Sequence, residues 1–153
     1  MLQPELTRQT NPQGSHEASL KVRIPPSARF GKRARDEVIT FASQHHISRA
    51  QLDEFLFAVG EALANAIEHS GSQDVIEIRC EIDTDKIVAT VMDSGKGFDP
   101  EAASPHLPDQ LSERGRGLPI MQKFTDIFAV RSVPGKGTAV VLGRYLGDPL
   151  LQD

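Results

Sequence analysis

The sequence predicts an α/β fold, a two-layer sandwich in which a mixed, mainly antiparallel sheet carries helices on one face. Several short segments alternate apolar with polar residues, as half-buried strands do, and two longer segments repeat apolar residues every three or four positions, as amphipathic helices do. The resulting order is strand, two helices, two strands, a long loop, a helix and two strands, without an internal repeat. The 153 residues leave room for one such domain.

The first predicted strand begins the globular domain. Residues 20–24 alternate apolar and charged side chains, and two prolines stop the pattern. The preceding residues mix Pro, Gln, Asn, Thr and Gly with no apolar period, so we expect a flexible N-terminal lead at 1–18. We therefore place the domain at 19–147 and a C-terminal tail at 148–153.

Two helices follow, and the second is the more important for function. Ser27 is placed to cap the first helix, whose apolar stripe runs through 30–45. Ser48 and Gln51 have the spacing of a capping box for the second helix, whose stripe runs through 52–67.

The remaining strands share a period of two residues: 76–82, 86–92, 126–133 and 138–145. A short Asp-Thr-Asp turn joins the first two, so we expect them to pair as a hairpin. Residues 99–113 have no pattern and form a loop longer than compact domains usually contain, which we interpret as a lid. A short helix at 118–124 follows, with Pro119 in its first turn.

Composition and charge limit the classes of partner. Charged residues make up 25% of the chain and the net charge is -4, so no general attraction to nucleic acid is expected. The single cysteine, Cys80, allows neither an internal disulfide nor a cysteine zinc site. No apolar segment resembles a signal peptide core or is long enough to span a bilayer. We therefore expect a soluble cytoplasmic protein with no membrane and no nucleic acid partner.

The second helix carries two polar residues at helical spacing. Glu61 and Asn65 are four residues apart, so both side chains leave one face of the helix and can reach one site. An amide oxygen at Asn65 suits a magnesium ion that is held mainly by nucleotide phosphates and water. The Glu61 carboxylate could accept a proton from an attacking hydroxyl or water. Taken alone, these residues are more simply explained as the solvated face of an amphipathic helix.

A glycine-containing turn follows the second strand of the hairpin. Asp93 opens the run Asp-Ser-Gly-Lys-Gly, which includes Gly95 and Gly97. A carboxylate at a strand end can accept a hydrogen bond from the amino group of a base, and glycines let the backbone approach a flat ring closely. These properties suit the amino edge of adenine. An isolated motif of this kind is equally typical of an ordinary turn.

A second glycine-containing run, 114–118, precedes the third helix. Its backbone N–H groups and the positive end of that helix could hold phosphates. It is not a Walker loop, because the Gly-Lys-Ser/Thr ending is absent, and no strand leads directly into it. A lone Gly-x-Gly is weak evidence. Lys136 lies in a Gly-Lys-Gly-Thr turn, for which we prefer a hairpin interpretation.

The order of these motifs resembles that of a known superfamily. Residues 61–66 resemble the N box, 93–97 the first glycine box and 115–118 the second glycine box of the GHKL superfamily of Bergerat-fold ATPases and kinases. That superfamily includes gyrase, heat-shock chaperones, histidine kinases and mismatch-repair ATPases. The resemblance covers roughly 20–145 and implies an α/β sandwich whose lid closes over ATP.

Within that superfamily, the chain is most similar to the bacterial anti-sigma factor serine/threonine-protein kinases. The compact size, the Asn-Ala-Ile-x-His run at 65–69 and the Arg-Gly-Leu-Pro-Ile run at 116–120 carry this resemblance. It implies that Asn65 binds magnesium and that Glu61 is the catalytic base for a serine hydroxyl.

The same resemblance gives the candidate ATP-binding residues. Besides Asn65 they are Asp93, Gly95, Gly97, Arg114, Gly115, Arg116, Gly117, Leu118 and Thr138. The first three would hold adenine, the run from Arg114 would hold the phosphates, and Thr138 would support the base side of the pocket. Arg116 could reach a phosphate or face solvent.

The resemblance implies a partner-switching regulator. Such a protein transfers phosphate from ATP to a serine of an anti-sigma-factor antagonist and alternately sequesters a sigma factor or another target. A homodimer is compatible with the resemblance, although no patch in the sequence identifies its interface. Two alternatives stay open: the stand-alone nucleotide-binding domain of a histidine kinase with its acceptor on a partner, and a nucleotide-dependent binding protein without turnover.

Overall fold

The computed structural model of the chain describes residues 5–10, 18–69, 74–83, 85–95 and 121–147, with the backbone alone for 5–10 and residue 69. The predicted lid at 99–113 and the start of the predicted third helix lie outside these ranges. Residues 121–123, near the end of that predicted helix, are helical.

The described elements form a single sheet with helices. They are β1 (Glu5–Thr10), β2 (Ala18–Ile24), α1 (Ala28–Gln44), α2 (Arg49–His69), β3 (Ile76–Ile82), β4 (Lys86–Asp93), β5 (Ile127–Val133) and β6 (Gly137–Tyr145). The strand order is β1-β2-β3-β4-β6-β5, and every neighbouring pair is antiparallel. The predicted two-layer fold and the predicted hairpin are confirmed, and the described sheet is antiparallel throughout, not mixed.

Strand β1 lies inside the segment for which the sequence predicts a flexible lead. It pairs with β2 from Glu5, opposite Arg23, to Thr10, opposite Ala18. The prediction is wrong for these residues, because an edge strand is held by backbone hydrogen bonds that need no apolar alternation. β1 covers backbone groups of β2 that would otherwise form an open edge. The bounds 19–147 and 148–153 stay predictions.

One face of the sheet is apolar and carries both helices. Residues opposite one another in antiparallel strands point to the same face, so the register defines rows across the sheet. Two such rows are Leu20, Cys80, Ala89 and Leu142, and Val22, Ile78, Val91 and Val140. All of these residues are buried, and burial raises the pKa of the Cys80 thiol. α1 packs against β2 and β3, whereas α2 packs against β4 and β6.

The helix starts include one confirmed cap and one wrong prediction. At α2, Ser48 Oγ accepts the Gln51 N–H at 3.2 Å and Gln51 Oε1 accepts the Ser48 N–H at 3.1 Å, which is the predicted capping box. At α1, Ser27 is the N-cap residue, but its side chain makes no capping hydrogen bond. Backbone hydrogen bonds form this end instead, from Ser27 N–H to Pro25 O and from Phe30 N–H to Ser27 O.

α2 is the central helix of the layer. Its buried residues are Leu52, Phe55, Leu56, Ala58, Val59, Ala62, Leu63 and Ala66. Since each large apolar side chain that is buried contributes about 1.5–3 kcal/mol, this face fixes the rotation of the helix against the sheet. Glu61 and Asn65 therefore lie at the half-buried border of the helix. Within the described ranges, no helix is long and apolar enough to cross a membrane.

Candidate functional site

A polar row ends the apolar face of the sheet. Asp93, the last residue of β4, is opposite Thr138 of β6, and Thr138 is opposite Ser132 of β5. Because Asp93 comes two residues after the buried Val91, its side chain leaves the helix-bearing face of the sheet. Two of the predicted adenine-side residues, Asp93 and Thr138, therefore lie next to each other.

The Asp93 carboxylate is held in place by its own turn. Asp93 Oδ1 accepts the Gly95 N–H at 2.8 Å, which explains why the predicted Gly95 follows it two residues later. Burial raises the pKa of Asp93, while backbone hydrogen bonds from Gly95 and Thr138 act in the opposite direction. A partly desolvated, oriented carboxylate is a strong acceptor for an amino group that enters the site.

Gly137 fixes where this turn lies against the sheet. Its φ is +115°, in the region that favours glycine, and an added Cβ would overlap the Asp93 carbonyl oxygen and lie 2.9 Å from Ser94 Cα. The start of β6 thus packs directly on the backbone of the Asp93 turn. The sequence assigns no role to Gly137, although it lies in the Gly-Thr pair of the Gly-Lys-Gly-Thr turn.

Ser132 supports Thr138 from the neighbouring strand. The Ser132 and Thr138 hydroxyl oxygens are 2.8 Å apart, and Ser132 Oγ donates to Gly137 O at 3.2 Å. Ser132 is the buried polar side chain of the described core. Sequence reasoning missed it, because the one signal is a serine at an alternating strand position that otherwise holds apolar residues.

Asn65 and Glu61 lie on α2, the helix that packs against β4 and β6. Asn65 Nδ2 is buried and has no hydrogen-bond partner. A buried amide nitrogen without a partner is rare in folded proteins. Glu61 is half-buried and has no hydrogen bond or ion pair to the described part of the chain. Both side chains can therefore form further hydrogen bonds with a ligand.

These residues fit a nucleotide and a magnesium ion. The unpartnered Asn65 Nδ2 can donate a hydrogen bond to a ligand, and the oxygen of the same amide is the type of atom that coordinates magnesium. α2 packs against β4, the strand that ends in Asp93. Among the described residues, no group of three His, Cys, Asp or Glu side chains could hold a metal alone. A cation here would therefore need ligands from the nucleotide itself, which is the usual situation for magnesium.

One cleft in the described part of the chain lies elsewhere. It has a volume of about 510 Å³ and lies between the two helices, where Gly31 and Arg35 face Gly60 and Ile67. Neither Asn65 nor Asp93 lines it. We prefer Asn65 and Asp93 as the candidate site, because an unpartnered buried amide nitrogen and a partly desolvated carboxylate point to a ligand, which volume alone does not.

The other predicted site residues cannot be located. Gly97, Arg114, Gly115, Arg116, Gly117 and Leu118 lie outside the described residues. Their proposed contacts with adenine and phosphates stay predictions. The candidate residues that the structure describes lie on α2, at the end of β4 and its following turn, and at the start of β6.

Comparison with protein families gives one match over most of the chain. Residues 25–144 match the model of the histidine kinase-like ATPase domain. The match extends from the end of β2 into β6 and contains Glu61, Asn65, Asp93 and Thr138.

Curated relatives cover a similar part. The chain is 37% identical over 120 residues to the anti-sigma F factor of Caldanaerobacter subterraneus subsp. tengcongensis, covering 74% of this chain and 84% of the relative. It is 34% identical over 118 residues to the anti-sigma F factor of Clostridium acetobutylicum, covering 72% and 82%. It is 28% identical over 138 residues to the serine-protein kinase RsbW of Bacillus subtilis, covering 83% and 85%.

Proposed function

The chain belongs to the histidine kinase-like ATPase family, and on that basis we propose that it is an ATP-dependent serine protein kinase of the anti-sigma-factor type. It would phosphorylate an antagonist protein and, in alternation, sequester a sigma factor or another target. The observation that carries the proposal is the placement of Glu61 and of the unpartnered Asn65 amide on α2, packed against the strand that ends in Asp93. The names of the relatives, anti-sigma F factor and serine-protein kinase, support it.

Asp93 is the proposed adenine contact. Its ionised carboxylate would accept a hydrogen bond from the adenine amino group, and Gly95 and Gly97 would let the ring lie close to the backbone. Thr138 would support the same side of the base through the hydroxyl contact with Ser132. Arg114 to Leu118 would surround the phosphates, as a helix N-terminus does.

Asn65 is the proposed magnesium ligand, through its amide oxygen. A magnesium ion would reduce the negative charge that builds up on the phosphates. The apolar face of α2 fixes the helix, so Asn65 would hold its position without support from a neighbouring side chain.

Glu61 is the proposed catalytic base. The serine oxygen of the antagonist would form a bond to the γ-phosphorus, and the bond from that phosphorus to the β–γ bridging oxygen would break, releasing ADP. The proton of the serine hydroxyl would pass to the Glu61 carboxylate. A helix turn separates Glu61 from Asn65, and this spacing would put the base beside the phosphate end of the nucleotide.

The proposed partners are proteins. A sigma factor and its antagonist would place the chain in the cytoplasm, with neither nucleic acid nor a membrane as a direct ligand. We also propose a homodimer through the face of the sheet opposite the one on which α1 and α2 pack. On β4, β6 and β5 this face carries apolar residues, among them Val88, Val141 and Val133.

Radiolabel transfer tests the kinase proposal. The purified chain is incubated with magnesium and γ-labelled ATP together with antagonist proteins that carry an acceptor serine. We expect label on the serine, loss of transfer but retained ATP binding in Glu61→Gln, and loss of both in Asn65→Ala. Glu68→Gln, on the same helix but outside the proposed site, is the matched control and should transfer normally.

The outcomes separate the alternatives. Tight ATP binding without hydrolysis or transfer would indicate a nucleotide-dependent binding protein. Acid-labile phosphate on a histidine would indicate the histidine kinase alternative. No transfer to any antagonist would count against the proposed function.

A further inference from the structure

Phe57 is an exception on α2. The other large apolar side chains of this helix are buried, as Phe55 and Leu63 are, or partly buried, as Ile67 is, whereas Phe57 is 50% exposed. A single exposed apolar residue is common and needs no explanation by itself. Its exposure indicates a function only together with a second observation, which is its position relative to the candidate site.

Phe57 lies on the same side of α2 as the proposed base. It precedes Glu61 by four residues and Asn65 by eight, so the three side chains follow one another along successive turns. Asn65 is at the nucleotide end of this series. Phe57 is at the other end, about 6 Å along the helix axis beyond Glu61.

A second aromatic ring holds Phe57 in place. The rings of Phe57 and Phe124 meet edge to face, with centroids 5.7 Å apart and planes at 85°. Phe124 is itself partly buried against the core, and the Lys123 ammonium lies 5.8 Å from its ring centroid. We call Phe57 and Phe124 together the aromatic patch. An oriented ring with a free face is suited to contact another apolar group.

One end of the aromatic patch has a fixed charged border. Glu54, three residues before Phe57, accepts a hydrogen bond from Arg144 Nη1 at 3.0 Å. Arg144 also donates to the Phe124 carbonyl oxygen at 3.3 Å. The same arginine thus ties α2 to the segment that carries Phe124, and the patch keeps its shape when α2 is fixed.

The chemistry of the aromatic patch does not fit the nucleotide. Its two rings offer no hydrogen-bond donor or acceptor, and Asn65 and Asp93, the described polar groups assigned to ATP, are not part of it. The remaining reactant in the proposed transfer is the protein that supplies the serine. Its serine oxygen must come close to Glu61, which brings neighbouring residues of the same segment over Phe57.

We propose that the aromatic patch is a specificity-determining contact of the kinase reaction and binds an apolar side chain two residues from the acceptor serine. The spacing follows from geometry, since an extended chain rises about 3.3 Å per residue and side chains two apart point to the same side. One helix turn from Glu61 to Phe57 matches this distance. The inference rests on the proposed kinase function and adds the sequence class of its protein substrate.

Steady-state transfer kinetics test the patch on an antagonist protein that wild type phosphorylates. Phe57→Ala should raise the KM for the antagonist about tenfold, the loss expected for removing a central aromatic contact. Its kcat and its affinity for ATP should stay within about twofold of wild type, and Phe57→Leu should recover most of the KM. Tyr145→Ala, which removes another exposed aromatic side chain at the end of β6, is the control and should leave the KM unchanged.

A double-mutant cycle identifies the contacted residue. Apolar residues on either side of the acceptor serine are replaced by alanine in the antagonist and tested against wild type and Phe57→Ala. The residue two positions from the serine should raise the KM with wild type and have little further effect with Phe57→Ala. Additive effects at every flanking position would overturn the assignment.

The other possible results of these experiments distinguish a failure of the substrate role of Phe57 from a failure of the kinase function. An unchanged KM for the antagonist in Phe57→Ala, with transfer intact in wild type, overturns this inference and leaves the kinase function standing. A loss of ATP affinity or of kcat alone assigns Phe57 to support of the site and overturns the inference as well. If wild type labels no antagonist, the kinase function fails first, and the substrate role of Phe57 fails with it.

Discussion

Two polar residues of the candidate site, Asn65 and Asp93, lower the stability of the ligand-free protein because their polar groups are buried or partly buried. Asn65 Nδ2 is buried without a partner, and burial raises the pKa of Asp93. An unsatisfied buried polar group typically costs about 1–3 kcal/mol. The cost falls when a ligand accepts a hydrogen bond from the Asn65 amide and donates one to the Asp93 carboxylate. At the scale of single residues, this unused capacity is the strongest sign of a ligand.

Asp93 should make ATP binding depend on pH. Because burial raises its pKa above the ordinary value of 3.8, the carboxylate gains a proton at a higher pH than an exposed aspartate does. The protonated form is a poor acceptor for the adenine amino group, so ATP affinity should fall as the pH is lowered through this raised pKa. Isothermal titration of ATP across that range measures the effect.

Asp93→Asn is the control for this pH dependence. It should bind ATP at least about tenfold more weakly at neutral pH, since hydrogen bonds to charged groups contribute about 1.5–3 kcal/mol. It should also lose the part of the pH dependence that Asp93 causes. An Asp93→Asn profile that parallels wild type would contradict the assignment.

The effect of Asp93 on the stability of the free protein should have the opposite pH dependence from its effect on ATP affinity. Between 3.8 and the raised folded pKa, the folded state keeps a proton that the unfolded chain has lost. The contribution of Asp93 to the free energy of unfolding is therefore present at lower pH and is lost as the pH rises through the folded pKa. Urea unfolding of wild type and Asp93→Asn across this range should show the difference between the two curves.

At the scale of elements, the β5–β6 turn should affect both the stability of the fold and the affinity of the candidate site for ATP. Gly137→Ala should lower the free energy of unfolding by at least about 2 kcal/mol, because a positive φ is strained for alanine and the added Cβ overlaps the Asp93 backbone. It should also weaken ATP binding, since the Asp93 turn must move. Urea denaturation and ATP titration measure the two effects.

Gly135→Ala is the matched control in the same turn. Gly135 also has a positive φ, +80°, but nothing lies within 4 Å of an added Cβ. We expect a loss of about 1 kcal/mol of stability from backbone strain and unchanged ATP affinity. Equal effects of the two substitutions on ATP affinity would show that Gly137 does not position Asp93.

The capping box of α2 should contribute measurably to stability. Ser48→Ala removes the acceptor of the Gln51 N–H and should lower the free energy of unfolding by about 1 kcal/mol. Ser27→Ala at the start of α1 should have almost no effect, because the Ser27 side chain makes no capping hydrogen bond. Urea denaturation compares the two, and similar losses would contradict the difference between the helix starts.

At the scale of the whole molecule, periodicity predicts the elements that bury apolar side chains. The alternation in 76–82 and 86–92 predicts β3 and β4, and the capping box predicts the start of α2. β1 is missed because it is held by backbone pairing at the edge of β2, which leaves no apolar pattern. Glu61, Asn65 and Asp93 can be named from motif order.

The sequence does not predict the contacts between segments that are distant along the chain. Gly137 matters because its Cα lies against the Asp93 backbone, and Ser132 matters because β5 places it beside Thr138. Both contacts depend on the register between strands, which a period of two residues leaves open. Their residue types are ordinary for a turn and a strand.

The two faces of the sheet differ in a way that bears on assembly. The face without helices is charged on β2 and β3, where Arg23 and Arg79 flank Glu77. On β4, β6 and β5 the same face is mainly apolar, with Val88 and Met92 beside Ala139 and Val141, and Ala129 and Ile127 beyond them. The register also places Lys86, Thr90 and Arg131 on this face. Strands that face water on one side normally carry polar residues there.

A homodimer through this apolar part of the face explains the pattern and can be tested. Val141→Arg places a charge at the centre of the apolar part, and burying it in an interface without a partner is costly. We expect sedimentation equilibrium to give twice the chain mass for wild type and the single mass for Val141→Arg, with ATP affinity retained because Val141 points away from the site. Arg79→Glu, on the charged part of the same face, is the control and should stay dimeric. A wild-type monomer, or a dimer that tolerates Val141→Arg, would mean that another surface or no surface joins two copies, and the apolar part would then require a different partner.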